Sequence, residues 1–214
     1  MTLQRSFVAV LWLLAFGLSG RPDAEPRAPF GPAIVWNGGD AASVQQCNMV
    51  QSCLIGKMRV GQAGRAAIAF SERLNGMDNP GWADSFRAFG KIALVTAVYP
   101  YRANTNSGYL LVNGSPAIVN TESFTLSNAD KRRLDYRRLM AREPQVDLIT
   151  EIAFDHYESP AHGVARFVFT DEFAKCHACE LVATGYLAFD FDRKGRFLGT
   201  RLLRVGPPPT PAKQ

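Results

Sequence analysis

Apolar positions recur along the chain with several spacings, and each spacing predicts a different element. Phe7 to Leu18 is an uncharged apolar run of 12 residues. Val60, Ala63, Ala67, Phe70 and Leu74 fall at offsets 0, 3, 7, 10 and 14, one face of a helix. Asn75-Gly76 predicts a left-handed stop to that helix. Asn79-Pro80-Gly81 reads as a turn, and Trp82 to Phe89 as one or two further helical turns. Lys91 to Tyr101 is apolar at odd and even positions alike, the pattern of a strand covered on both faces. Within Gly108 to Asn120, Asn113-Gly114 separates two β-rich runs and predicts a hairpin.

Further along, Ser127 and Asp130 form a capping-box variant that opens a basic helix, which Pro144 closes. Val146 to Asp155 and Val164 to Thr170 predict a second hairpin around a loop from His156 to Gly163. Leu181, Ala183, Leu187, Phe189 and Phe191 alternate with Thr184, Tyr186, Asp190 and Asp192, so this stretch reads as a half-buried strand that bends at Gly185. Asp192 to Gly195 turns it into a last strand, Arg196 to Val205, with Gly195 in the left-handed position. The fold class that follows is α+β: a curved antiparallel sheet of about 5–7 strands with two or three helices packed on one face. The same order of elements occurs in cone-shaped NTF2-like domains; the likeness is one of element order alone, with no family motif in the residues.

Composition narrows the class. A chain of 214 residues with 47% hydrophobic and 20% charged positions is neither disordered nor low-complexity, and its 18 Gly and 13 Pro lack the period of collagen. Residues 1–20 place Arg5 ahead of the 12-residue apolar run, with Gly17, Ser19 and Gly20 near its end, the layout of a secretory signal peptide. The run falls short of the roughly 20 apolar residues a spanning helix needs, so removal is expected, leaving no stable membrane span and a secreted or periplasmic product. After it the sequence predicts a flexible arm at 21–45, a single α+β domain at 46–205 and a disordered Pro-rich tail at 206–214. Loss of Arg5 from 24 basic residues leaves 23 against 19 acidic ones, a change in formal charge from +5 to +4. Lys131, Arg132, Arg133, Arg137, Arg138 and Arg142 spread around a helical wheel without forming a stripe, so a solvated helix is expected there and no nucleic-acid partner.

Candidate chemistry is confined to a few side chains. Cys47 and Cys53 form a C-x5-C pair, and Cys176-His177-Ala178-Cys179 a C-x2-C pair. In an exported chain these predict two disulfides with three available connectivities; local pairing closes short loops, whereas cross-pairing would tie the N-terminal arm to the sheet. A sharper reading makes Cys176 the nucleophile and Cys179 the resolver of thiol–disulfide exchange, with Lys175 or His177 depressing the thiol pKa, although no helix is predicted beside the pair. A metal reading would use His156, His162, Cys176 and Cys179, whose spacing matches no standard finger. Glu180 stands where haem attachment requires His, and no cofactor is expected.

Asp147, Glu151, Asp155 and Glu158, and the pair Asp190 and Asp192, read as solvated carboxylates on strand faces. Gly61 to Gly64 is too short a glycine pattern to cradle phosphate, and no G-x-S-x-G or H-E-x-x-H occurs. The leading expectation is a non-enzymatic exported module for an unknown small molecule or an envelope protein, fastened by disulfides at Cys47, Cys53, Cys176 and Cys179; the alternative is a thiol–disulfide oxidoreductase. A small hydrophobic ligand is expected between the Val60-to-Leu74 helix and the sheet, against Trp82, Tyr99, Tyr101 and Tyr186.

Overall fold

A computed structural model describes residues 29–38, 44–47, 50–77, 79–103, 106–159 and 163–208. The signal-peptide stretch, residues 21–28 of the arm, His162 and the tail beyond residue 208 lie outside the described residues.

The helical periodicity from residue 60 to 74 resolves into two helices, α1 (Gln51–Val60) and α2 (Arg65–Asn75). Ala67, Phe70 and Leu74 face the core as their spacing predicts, but Val60 ends α1 and is 85% exposed. The break has a tertiary cause. Trp36 donates its indole Nε1–H to the Gly61 carbonyl (3.2 Å), and a Cβ on Gly61 would come within 2.8 Å of that ring. Gln62 then turns back with φ 57°. α2 ends at Asn75 as expected, although Gly76 is right-handed (φ −64°) and the predicted left-handed stop is not formed.

Trp82 to Phe89 is not helical but forms β1 (Trp82–Phe89). Only Trp82 and Ala83 of it are buried; the edge position leaves Asp84, Ser85 and Arg87 free to be polar, and a bulge between Ala83 and Ser85 breaks the alternation. It pairs with β2 (Ile92–Val98), which pairs with β3 (Ser107–Val112), which pairs with β4 (Ile118–Asn120), all antiparallel. The β3–β4 hairpin forms where Asn113-Gly114 predicts it, with Asn113 at φ 71° and its amide bonded across the loop to Ala117 (3.0 Å).

The basic segment breaks into α3 (Asn128–Lys131) and α4 (Leu134–Arg142). Arg132, at the end of α3, and Arg137, Arg138 and Arg142 of α4 are exposed, and Leu139 is the α4 residue that is buried. A second sheet follows: β5 (Asp147–Leu148) and β6 (Ala153–Glu158) pair with successive stretches of β7 (Ala165–Ala174), which pairs with β8 (Ala183–Phe191) and then β9 (Phe197–Gly206). His156 to Glu158, read as loop, belong to β6. The Asp192-to-Gly195 turn is as expected, with Gly195 at φ 83° and the Asp192 carboxylate accepting the Lys194 and Arg196 amides (2.9 and 2.8 Å).

The α+β reading, helices on curved antiparallel sheet, therefore holds, with nine described strands divided between two sheets. One face of the first sheet packs on α2 through Phe70, Leu74, Val95 and Leu110. The other face, through Ile92, Leu94 and Leu111, shares a core with Phe167, Phe169, Leu187 and Phe189 of the curled second sheet. That double cover explains why β2 is apolar on both faces, at every position but Thr96. β8 is likewise buried on both faces, so its alternation did not mark a solvated side. Part of the arm is packed too: Val35 bridges Ala83 in parallel, and Ile34, Trp36 and Val44 are buried.

Candidate functional site

Both disulfides are local, Cys47–Cys53 and Cys176–Cys179. The first clips the turn that leads into α1, where Cys47 lies among buried residues and its carbonyl accepts the Val50 amide (2.9 Å). The second closes the exposed turn between β7 and β8, and neither bond ties the N-terminal segment to a sheet. Loops this short remove little chain entropy from the unfolded state. Replacing both Cys176 and Cys179 by Ser should therefore cost about 2 kcal/mol or less in urea denaturation. A variant that no longer unfolds cooperatively would contradict this assignment.

The same turn lacks what a reactive thiol requires. No helix starts at Cys176; the chain runs on into β8. Lys175 Nζ is engaged by Glu143 (3.3 Å), and His177 Nδ1 lies 3.7 Å from Glu151, so both side chains nominated to depress the thiol pKa face carboxylates. The metal set is not assembled either. His156 sits on β6 with Nδ1 on Asp155 (2.8 Å) and Nε2 on Glu158 (3.0 Å), hydrogen bonds that raise its pKa, Glu158 contributing most. Cys176 and Cys179 are bonded to each other, and among the described residues no group of three His, Cys, Asp or Glu is placed to hold a metal ion.

The carboxylates read as solvated diverge in fate. Asp192 shapes its turn at the surface. Asp190 is only 6% exposed and accepts Arg166 Nε (2.7 Å) and Arg201 Nη2 (2.6 Å) from the strands on either side. Glu158 extends the array to Arg166 (3.3 Å), so charges alternate across β6, β7, β8 and β9 and largely satisfy one another. The array works as cross-strand pairing on the outer face.

The proposed space between helix and sheet is filled: Trp82 and Tyr99 are each 2% exposed and pack in the core. Tyr186 lies on the second sheet under the Arg204 guanidinium (3.3 Å), far in the fold from α2. A different concavity is open. A groove of about 880 Å³ runs between residues 29–34, the outer side of α2 and the β3–β4 loop. Ala66 and Ala69 form its helical wall, Phe30 and Ile34 the facing wall, Phe70 the base, and Gly114 and Ala117 one end. Phe30 is held by two bonds: its amide donates to Asn113 Oδ1 (2.6 Å), and Asn113 Nδ2 donates to its carbonyl (2.9 Å). Its ring meets Phe70 edge-on at 5.1 Å. Glu72 and Arg73 complete the rim.

Compared with protein-family models, with curated proteins and with solved structures, the chain finds no match. The groove escaped sequence reasoning because its walls come from segments as distant in sequence as residues 29–34 and 113–117 and because alanines at 66 and 69 contribute by being small. The one local signal was Asn113, which the hairpin motif had already absorbed.

Proposed function

We propose that this chain is an exported binding module, fastened by two local disulfides, that holds a small apolar molecule in the groove between residues 29–34 and α2. The groove itself carries the reading. Its volume of about 880 Å³ falls in the range of small-molecule sites, and its walls are apolar with a few polar groups at the rim. The N-terminal signal-peptide pattern and the two disulfides support export. No helix among the described residues is long and apolar enough to cross a membrane.

The test uses the uncharged probe N-phenyl-1-naphthylamine, whose fluorescence rises in apolar surroundings. Wild-type protein should bind it saturably. Ala69→Trp places an indole in the groove and should weaken binding by about tenfold or more, the effect of losing at least one buried apolar contact set. Undiminished binding by a folded Ala69→Trp variant overturns the groove as the site.

A further inference from the structure

We infer that the ligand is an anionic amphiphile whose charged end rests at Arg73 and whose apolar part lies along Ala69 and Ala66. The inference deepens the groove reading and depends on it.

Ala66, Ala69, Phe70 and Arg73 follow one another at helical spacing, so the groove runs along α2 and ends at a cation. Seven residues at about 1.5 Å rise give an apolar path of about 10 Å from Ala66 to Arg73. Arg73 is half-buried, its guanidinium 5.9 Å from the Phe30 ring centroid, and no ion pair among the described residues involves it. Arg102, Arg133, Arg166, Arg196 and Arg201 each face a carboxylate, and other described arginines share the lack of one, but Arg73 is the arginine that lines the groove. An arginine stacked beside an aromatic ring at the end of an apolar channel offers a carboxylate or sulfonate its donors while the Phe30 side excludes water. Asn113 does not compete for that role, because its amide is spent on the Phe30 backbone. Glu72, which has no ion pair among the described residues either, is exposed at the rim and opposes an anion there.

The experiment is displacement of bound N-phenyl-1-naphthylamine by decanoate and by 1-decanol at low ionic strength and pH 8, where the acid is ionised. Decanoate should displace the probe about fivefold more effectively than the alcohol, the scale of one partly exposed ion pair. Arg73→Gln should abolish that difference and leave decanol unchanged, whereas Glu72→Gln should widen it. Ala66→Trp shortens the channel at the far end and should weaken decanoate while sparing hexanoate. Equal displacement by acid and alcohol, with Arg73→Gln without effect, overturns the anionic end while probe binding that Ala69→Trp still blocks keeps the groove. Probe binding indifferent to Ala69→Trp removes the groove and this inference together. A protein that binds decanoate only after residues 21–28 are deleted assigns the groove to the chain's own N-terminal segment and likewise overturns the proposal.

Discussion

Replacing Asp130 by alanine is expected to lower the stability of the protein by about 2–4 kcal/mol, measured as the shift in a denaturant unfolding curve with disulfides intact. The carboxylate is 6% exposed and serves two elements at once. Its Oδ2 accepts the Ser127 amide (2.9 Å) and the Ser127 hydroxyl (2.6 Å), which completes the capping box at the start of α3. Its Oδ1 accepts the amide of Leu202 (3.0 Å) on the outer edge of β9, 72 residues away. Asp135 repeats the device three residues into the last strand's edge, accepting the Val205 amide (2.9 Å). Loss of the cap costs about 1 kcal/mol, and a buried Leu202 amide without an acceptor about 1–3 kcal/mol more. Asn at position 130 should fare nearly as badly as Ala. A carboxamide has one oxygen, so its NH2 must point either at the Ser127 amide or at the Leu202 amide, donor against donor. Near-wild-type stability of Asp130→Asn would show that only one of the two bonds matters.

The same residue shows how far the sequence could be read. Ser127 and Asp130 stand three apart, so the cap was visible as a local motif, as was the Asp192-to-Gly195 turn and the apolar run of β2, because short spacing encodes each. The Leu202 bond was not visible, since nothing local connects residues 130 and 202. Misreadings have the same origin. β1 looked helical because an edge strand that faces solvent may carry Asp84, Ser85 and Arg87 without violating any burial demand. The α1–α2 break looked like continuous helix because the need for glycine at 61 comes from the Trp36 ring, not from neighbours in sequence. Asp190 looked solvated because polar residues on strands usually are, yet Arg166 and Arg201 approach it from adjacent strands and allow its burial. The local disulfide pairing is set by which cysteines the backbone brings to 5.4 and 5.1 Å between Cα atoms, a distance that spacing alone left open among three pairings.

Asp171 carries the second prediction, and there the same Asp→Asn exchange should have the opposite sign. Its side chain is fully buried on the core face of β7, in line with Phe169 and Phe173 and opposite Gly185 of β8. One oxygen accepts the Glu172 amide (2.8 Å), the Glu151 amide also bonds the carboxylate, and Oδ2 has no partner. Among the described residues no cation pairs with it, while Glu151 and Glu172 are the charged groups that act on it; His177 leans on Glu151 from the β7–β8 turn. Burial, above all, pushes the Asp171 carboxyl up to about 6, the two amides offsetting part of the rise and the two glutamates adding to it. The folded state thus holds a proton that the unfolded chain releases near pH 4. Stability from this group is fully present below about pH 4, declines as pH rises toward 6, and stays lower above it by on the order of 3 kcal/mol. Asp171→Asn keeps an oxygen for the two amides and removes the ionisation. It should be more stable than wild type by about 1–3 kcal/mol at pH 8, with the advantage shrinking to nothing near pH 4. Denaturant curves for both proteins at a series of pH values decide the matter: a constant difference between them across pH 4 to 8 would mean that Asp171 does not titrate in the folded core.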